Sequence, residues 1–459
     1  MTSSPRGLVA GLMLVLFFLS CSVNDAHALP AFARKYGLRC SACHEAWPML
    51  NYFGQKFKDN GYQLMNDRDS PIWQNPSYWP VTFRITPNWH RERTDKVLVD
   101  TSATTTSQQQ IISQGFDISG LDFHTGGTLE KNLSFYVLPS SNSAGQFHFE
   151  TVMGRLDNLF GSSWFNVKLG KFELDNLISE KRILTLTNIS GVYQTYHFRP
   201  QGDSNSFGQI GDNQLGVEYM GHSYNDRTRV SLALLSSNDG QVGLPSSNAY
   251  SGFFAASQAF DTGKLGVQRI GVYAMVGQAP TYFLTTNGGG IATPFGNAAG
   301  RGNKSFSREG FVGLFYLGKL DFLVLTQHGE DNAFFGTNTA ANTPLPAGAR
   351  SPTWNGYMVE THYVYNPQLI FIQRSEFERM SRQACPIGSC AGSATVTPMA
   401  SNLGNIDMYT FGYRYYPIMT SRAGFAWHNE YSWFRQRGTA PDGTDITNSS
   451  ILLGFDFDF

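Results

Sequence analysis

From residue 80 onward, apolar and polar side chains alternate with a period of two, which predicts β-strands rather than helices. The C-terminal segment 451–459, ILLGFDFDF, is the clearest case, because apolar residues take every odd position. Its other face carries Gly454, Asp456 and Asp458, and a dry core would not accommodate the aspartates. A strand with one face towards lipid and the other towards water is typical of a membrane barrel.

Sixteen segments of this kind are predicted, and an even number is usual in bacterial barrels. Tight links alternate with long polar links rich in Gly, Ser, Thr, Asn and Pro, one of them at Thr101–Gln110. Short periplasmic turns and long external loops alternate in this way, which predicts both chain termini on the periplasmic side. The predicted strands are Val81–Arg91, Ile111–Phe123, Lys131–Leu138, Gln146–Arg155, Ser163–Glu173, Gln209–Gly221, Arg227–Leu235, Tyr250–Phe260, Gly266–Gly277, Gly310–Leu317, Leu320–His328, Thr353–Tyr365, Gln368–Met380, Ile406–Tyr416, Arg422–Arg435 and Thr447–Phe459.

The composition agrees with an all-β transmembrane barrel of about 16 antiparallel strands. Of the 459 residues, 15% are charged and 14% are aromatic, and 47 are glycines, whereas globular proteins average about 25% charged residues. No stretch after the N-terminal region is apolar over the roughly 20 residues that a membrane-spanning helix needs. The formal net charge of −1 leaves no basic excess to neutralise phosphates, which argues against nucleic acid as a partner.

Residues 1–28 have the features of an export signal. Arg6 supplies a positive charge, Leu8–Leu19 is apolar, and Ala26-His27-Ala28 offers a cleavage site before Leu29. The apolar run is shorter than the roughly 20 residues of a membrane-spanning helix. A lipoprotein site at Cys21 is a weaker alternative, because no small residue lies two positions before it. Together with the barrel pattern, the signal predicts a protein of the bacterial outer membrane.

The segment after the signal contains Cys40-Ser41-Ala42-Cys43-His44, a C-x-x-C-H motif. At this spacing two thiols can bond to the vinyl groups of haem while the next imidazole ligates the iron. A redox C-x-x-C and a zinc site are the alternatives. A zinc site needs further Cys or His ligands, and none occurs between His44 and His90. The motif therefore predicts one covalent haem c, held by Cys40 and Cys43, with His44 as the proximal iron ligand.

Three regions follow: a signal peptide at 1–28, an α-helical monohaem cytochrome c segment at 29–79, located at or inside the barrel mouth, and the porin-like barrel at 80–459. Met65 or His90 is predicted to be the distal iron ligand. Met49 is disfavoured, because we expect it on the same short helix as His44 and hence on the wrong side of the ring. An open sixth position would instead indicate small-molecule chemistry.

Two further patterns concern the barrel. Cys385 and Cys390 lie close together in a long external link, and an exported pair of this kind is predicted to form a disulfide, with metal binding as the weaker alternative. The alternation in the late strands also predicts which polar side chains face the lumen. These are Glu360, His362, Arg414, His428 and Glu430.

The lead-in Leu29–Arg34, Gly37 before the haem motif and the ending Gly454–Phe459 carry a family resemblance. In these segments the chain resembles the fused monohaem cytochrome-porins of the outer membrane, a family that includes the Fe(II) oxidases of iron-oxidising bacteria. The resemblance implies a haem that accepts electrons from extracellular Fe(II) and passes them to a periplasmic cytochrome c or cupredoxin. One residue departs from the pattern: Tyr36 occupies the position where iron oxidases usually carry Thr. The resemblance rests on the lead-in Leu29–Arg34, Gly37, the motif at 40–44, Trp47, Pro48, Asn51, Phe53, Gly54 and the ending Gly454–Phe459.

Three functions remain open from the sequence. The first is electron transfer from extracellular Fe(II), and the second uses the same conduit with another donor or in the opposite direction. The third is a diffusion porin with a haem-bearing plug. A hydrolase or nucleotide site is poorly supported, because neither a G-x-S-x-G nor a Walker pattern occurs.

Overall fold

The computed structural model contains a closed antiparallel barrel of sixteen strands. No helix in the described parts of the chain is long and apolar enough to cross a membrane. The structure describes residues 30–46, 49–64, 69, 71, 80–102, 105–141, 145–175, 213–236, 250–279, 283–284, 291–292, 304–333, 345, 347–384, 405–419, 423–437 and 444–458.

Short elements precede the barrel, and each barrel strand pairs with the strands before and after it. The short elements are α1 (Pro30–Tyr36), α2 (Cys40–Cys43), β1 (His44–Ala46), β2 (Met49–Leu50) and α3 (Tyr52–Asp59). The barrel strands are β3 (Val81–Ser102), β4 (Thr105–Glu130), β5 (Leu133–Ser141), β6 (Phe147–Leu156), β7 (Asn166–Glu173), β8 (Asn213–His222), β9 (Thr228–Ser236), β10 (Tyr250–Asp261), β11 (Val267–Ala279), β14 (Lys304–Leu317), β15 (Leu320–Asp331), β16 (Thr353–Asn366), β17 (Leu369–Arg382), β18 (Ile406–Met419), β19 (Gly424–Gln436) and β20 (Ile446–Asp458). A separate pair, β12 (Phe283–Leu284) and β13 (Ile291–Ala292), lies between β11 and β14 in the chain.

All sixteen predicted strands are confirmed, with most ends within a few residues. The prediction of a loop at Thr101–Gln110 is partly wrong. β3 continues to Ser102 and β4 begins at Thr105, and the two pair with each other almost to the tip. This segment is polar but rich in Thr, and a two-stranded ribbon needs backbone pairing rather than an apolar face. The alternation rule cannot detect such a ribbon.

The barrel closes where its last strand pairs with its first. β20 and β3 are in register from Asp458 opposite Arg84 to Asn448 opposite Thr94. The first strand therefore begins, and the last strand ends, at the same end of the barrel. The tight links 131–132, 223–227, 318–319 and 367–368 lie at that end, which we call the short-turn mouth. The long links lie at the other end.

Side chains alternate between the outside and the lumen as the sequence predicts. On β16, Val359 and Tyr363 are 37% and 40% exposed, whereas Glu360 and His362 between them are 0% and 1% exposed. Arg414, His428 and Glu430 are likewise buried, which confirms their predicted lumen orientation. The outer surface is consequently apolar and aromatic, as contact with lipid requires.

The lumen has two chemically different sectors. The inward face of β10, β11, β14 and β15 forms an apolar sector that includes Phe253, Tyr273, Met275, Leu323 and Leu325. The inward face of β15–β20 forms an acidic sector, with seven buried carboxylates against two arginines and two histidines. Arg308 of β14 and Arg84 of β3 pair with Asp331 and Asp456 from the adjoining strands. The members of the acidic sector are Asp321, Asp331, Glu360, His362, Arg374, Glu376, Glu378, Arg414, His428, Glu430 and Asp456.

A test of the wall orientation is the substitution Leu453→Arg, on the outer face of β20. Leu453 is 48% exposed among apolar neighbours, and a cation near the bilayer midplane should cost about 2–4 kcal/mol. Unfolding by urea in lipid vesicles measures this loss. Thr447→Arg is the control, because it lies on the same face near the long-link end, beside Asp95, where the cost should be about 0–1 kcal/mol. Equal losses for both variants would contradict the assigned orientation.

Candidate haem-attachment site

Residues 30–64, which we call the plug, lie inside the barrel at the short-turn mouth. The plug contacts the wall on several sides. Its backbone N–H at Ala31 donates to Thr82 Oγ1 on β3 at 3.2 Å, and Met49 packs against Ile370 on β17. On a third side, Tyr52 Oη donates to the Asn225 carbonyl in the link between β8 and β9, at 2.7 Å. The plug therefore extends across the mouth from wall to wall.

A buried arginine fixes the end of α3 to the wall. Arg155 on β6 donates from Nη1 to the Lys58 carbonyl at 2.7 Å and from Nη2 to the Asp59 carbonyl at 2.8 Å. These carbonyls belong to the last turn of α3, where intrahelical donors run out. The Lys58 carbonyl also accepts from the Gly61 N–H at 3.1 Å. Asp157 balances the charge of Arg155 at 2.6 Å. Arg229 on β9 adds an ion pair with Asp59 at 2.6 Å.

Aromatic side chains give the plug an apolar core that is continuous with the lumen. The Phe32 ring meets Phe57 edge-on at 5.3 Å and stacks on Tyr62 at 5.0 Å. Tyr62 in turn stacks on Tyr136 of β5 at 6.0 Å. Tyr36 is buried in this core and donates from Oη to the Tyr62 carbonyl at 2.9 Å. A segment this short cannot form a sufficient core alone, so the apolar sector of the barrel completes it.

The C-x-x-C-H motif begins as a single helical turn, α2, which spans Cys40–Cys43. Asn51 holds the end of this turn. Its Nδ2 donates to the Ala42 carbonyl at 3.0 Å, and its backbone N–H donates to the Cys43 carbonyl at 2.9 Å. Its Oδ1 accepts from the Gly54 N–H at 2.9 Å and so caps α3. One side chain therefore joins the motif to the next helix.

Gly54 allows α3 to approach the motif closely. It is buried, and a Cβ atom there would lie 2.0 Å from the Cys43 carbonyl oxygen. Any larger residue would push α3 away from the motif, because the clashing atom is backbone. The glycine that the sequence shares with the resembled family thus has a steric reason here.

The expected helix through His44 and Met49 is wrong. His44 begins β1, pairs with Leu50 of β2, and is 7% exposed. Backbone pairing of β1 with β2, Ala46 opposite Met49, takes the place of helical hydrogen bonds after Cys43. Met49 is buried against wall residues of β17, β18 and β19. These are Ile370, Ile372, Tyr416, Met419 and Ala426.

The residues of the motif fit a covalent haem better than the two alternatives. Burial raises the pKa of the Cys43 thiol to about 11, whereas a redox C-x-x-C requires a lowered pKa. Within the described ranges, which leave out the side chain of Cys40, no group of three or more His, Cys, Asp or Glu is arranged to hold a metal ion. Haem attachment requires two cysteines on one turn, a buried imidazole and apolar surroundings. His44 supplies the imidazole, and Leu38 packs against the apolar sector.

Several predicted site residues lie outside the described residues or remain predictions. Met65, Cys385 and Cys390 are outside the described ranges, as is the side chain of Cys40. His90 is described: it pairs with the buried Leu452, and its Nε2 lies 2.6 Å from Ser450 Oγ. It faces the lumen, and its role as the distal ligand stays a prediction.

A chain of ionisable side chains leads away from the motif along the acidic sector. Glu45 lies beside Asp321, and burial raises the pKa of the Glu45 carboxyl to about 9. Asp321 hydrogen-bonds to His362 Nδ1, and His362 Nε2 lies 2.7 Å from Glu360 Oε1. Arg374 continues the chain with bonds of 2.7 Å to Glu360 and 3.0 Å to Glu376.

Sequence reasoning found the middle of this chain and missed its ends. The alternation in β16 identified Glu360 and His362, but nothing in the sequence placed Glu45 beside Asp321. Sequence reasoning also missed Arg155, the residue that anchors the plug. The alternation in β6 could have shown that Arg155 faces inward, but its partners on α3 are almost a hundred residues away in the chain.

No family model and no curated protein matches this chain. Solved structures similar to it include the anion-selective porin from Comamonas acidovorans, with 10% identity, a TM-score of 0.47, and coverage of 83% of this chain and 98% of that one. OmpT of Vibrio cholerae has 12% identity, a TM-score of 0.44 and coverage of 85% and 100%. OprB of Pseudomonas putida has 10% identity, a TM-score of 0.43 and coverage of 91% and 99%. Similarity this low says nothing about what this chain binds.

Gly54→Ala tests the contact between the motif and α3. The added methyl group would meet the Cys43 carbonyl, and overpacking of this kind costs about 1–3 kcal/mol. Limited proteolysis should cut the plug faster than in the unchanged protein. Gly154→Ala on β6 is the matched control, because a Cβ atom there meets nothing within 4 Å. If Gly54→Ala is as resistant as the control, the close approach is not required.

Arg155→Met tests the attachment of the plug. Breaking a buried ion pair costs about 3–5 kcal/mol, and the carbonyls of Lys58 and Asp59 also lose the guanidinium group that donates to them. We expect the ion conductance of the protein in planar bilayers to rise as the plug leaves the mouth. Arg308→Met is the control: Arg308 is equally buried and lies 2.6 Å from Asp331, with both residues on the wall. It should lower stability without raising conductance, and equal conductance in both variants would contradict the role of Arg155.

Proposed function

We propose that this chain is an outer-membrane electron-transfer cytochrome-porin that accepts electrons from extracellular Fe(II) and passes them to periplasmic carriers. One observation carries the proposal: the C-x-x-C-H motif lies within the lumen, in a plug that crosses the mouth of a closed barrel. The family resemblance of residues 29–54 and of the C-terminal strand supports the same conclusion.

The position of the plug favours electron transfer over solute diffusion. A diffusion porin needs an open aqueous channel, whereas here the short-turn mouth holds a segment with its own aromatic core and buried ion pairs. An electron needs no such channel. It needs a redox centre within the apolar band, roughly 25 Å tall, that separates the two aqueous sides. The motif offers the attachment point for such a centre.

The acidic sector favours a cation as the electron donor. Its carboxylates outnumber its basic groups, and walls of low dielectric concentrate ions of the opposite charge. Carboxylates and imidazoles are also ligands suited to Fe(II). The sector extends from Asp331, near the long-link end of β15, to Asp321 beside the plug. An anionic donor would be repelled along the same route.

The residues of the plug have distinct roles in this proposal. Cys40 and Cys43 would attach haem c through their sulfurs, and the imidazole of His44 would ligate the iron. Asn51 and Gly54 hold the motif turn against α3 and so fix the orientation of His44. The haem, when bound, supplies a reversible one-electron acceptor whose potential depends on its axial ligands and on burial. Each extracellular Fe(II) becomes Fe(III) and gives up one electron.

Location in the outer membrane follows from three features taken together: the export signal, the apolar outer face of the barrel and its aromatic C-terminal strand. In this orientation the long links are extracellular and the short-turn mouth faces the periplasm. The predicted disulfide of Cys385 and Cys390 would then lie in an oxidising environment.

Two other functions remain as alternatives. The same conduit could use another donor or carry electrons outward, and the acidic sector does not distinguish direction. A diffusion porin with a haem-bearing plug is favoured by the sixteen-strand barrel, because porins of 16 to 18 strands enclose a channel. Swelling of liposomes in small neutral sugars distinguishes this case from a closed conduit.

The decisive experiment combines mass spectrometry with absorbance. The purified mature protein should carry one haem, and the variant with Cys40→Ser and Cys43→Ser should carry none. Fe(II) added to the oxidised protein in detergent should reduce the haem promptly. Leu453→Ala, on the outer face of the wall, is the control and should keep both properties. Absence of a haem adduct, or a haem that Fe(II) leaves oxidised while sugars pass freely, would overturn the proposal.

A further inference from the structure

The outer face of α3 is unusual for a helix surface in contact with water. Tyr52 and Phe53 are 39% and 41% exposed, and Lys56 lies one turn further along the same face. The remaining surface of α3, with Gly54, Gln55 and Phe57, is buried in the plug. Exposed apolar residues are common singly, but these two aromatic residues are adjacent and directly follow Asn51, the residue that holds the motif turn.

These aromatic residues lie at the level of the short-turn mouth. The hydrogen bond from Tyr52 Oη to the Asn225 carbonyl ties α3 to the link between β8 and β9. Arg39 and Ser41, which flank and belong to the motif, are also exposed. The exposed residues of the motif turn and the aromatic pair therefore lie at the short-turn mouth, the end that the proposed function assigns to the periplasm.

The rim around this face is basic. Among the described charged residues at the short-turn mouth, five exposed ones are basic and two are acidic. This excess is local, because the whole chain has a net charge of −1 and the lumen behind the plug is acidic. The basic residues are Arg39, Lys131, Arg227, Lys264 and Lys319, and the acidic ones are Glu130 and Asp261.

We propose that the outer face of the plug is a docking surface for a soluble electron carrier whose contact face has an apolar centre and an acidic rim. The inference rests on the proposed function, and it adds the chemistry of the partner. Aromatic residues are enriched at the centres of protein interfaces, and complementary charges at the rim steer encounter. The carrier takes up one electron per encounter, its metal is reduced, and no covalent bond forms or breaks.

The charge pattern selects this partner over a basic one. Opposite charges raise association rates at low salt, and like charges around the same rim oppose binding. A short-lived complex suits a carrier that must leave after each electron, and redox encounters typically bury less than about 1,200 Å². A small aromatic centre with a charged rim fits this class of interface.

The experiment measures carrier binding to the full protein in lipid nanodiscs. The probe is a soluble monohaem cytochrome c with an acidic surface, and a basic cytochrome c is its counterpart. At low ionic strength the double variant Lys131→Glu and Lys264→Glu should bind the acidic probe at least tenfold more weakly. Phe53→Ser should weaken binding at any salt concentration. In about 1 M salt, where the screening length is about 3 Å, the effect of the lysines should disappear.

Arg93→Glu is the matched control, since Arg93 is exposed to a similar degree but lies on β3 towards the long-link end. It should leave binding unchanged. Equal binding of both probes, or unchanged binding in the lysine variant, would overturn the docking surface. If the lysine substitutions instead impair insertion into anionic vesicles and leave carrier binding intact, the basic rim binds lipid head groups. The proposal then also fails.

The same samples separate this inference from the proposed function. Haem content and reduction by Fe(II) are recorded for each variant before the binding measurement. If Fe(II) reduces the haem normally but the protein binds both probes equally, the proposed function stands and the docking surface is refuted. If the protein binds the acidic probe but contains no haem, the docking surface stands and the proposed function is refuted.

Discussion

Closure of the sheet is the constraint on which the rest of the structure depends. In lipid, a backbone N–H or C=O group without a partner costs several kcal/mol, so a sheet can span the bilayer only if its first and last strands pair. Here β20 and β3 pair over Asn448–Asp458. Closure fixes which face of every strand is outside, and it creates the enclosed lumen that the plug occupies.

The lumen and the plug complete each other. The plug is too short to form an independent domain, and its aromatic residues are buried because the barrel supplies the missing surface. Phe32, Phe57 and Tyr62 continue directly into the apolar sector through Tyr136. Arg155 and Arg229 then make the position unique, because a buried cation is tolerated only where its partners are in place. Apolar contacts hold the plug, and ion pairs determine where it sits.

Charge is distributed differently on the two sides of the plug. The lumen above it is lined by an excess of carboxylates along β15–β20, whereas the rim below it is basic. The two fields act on different partners: a small cation entering from the long-link end, and a protein approaching the short-turn mouth. The motif lies between them. This arrangement gives the two ends of the proposed conduit different chemical preferences without any moving part.

The sequence by itself determined the wall. Its two-residue period set the sixteen strands and their order, and it placed Glu360, His362, Arg414 and His428 in the lumen, because alternation is a local property that lipid contact enforces. The motif at Cys40–His44 is also local. Only the tertiary structure decided where that motif lies, since Arg155 and Asp321 meet the plug through contacts that no local pattern encodes. Two further features also depended on the tertiary structure: the path of the chain after His44 and the ribbon at Ser102. Both rest on backbone pairing, which forms wherever two segments run side by side, whatever their polarity.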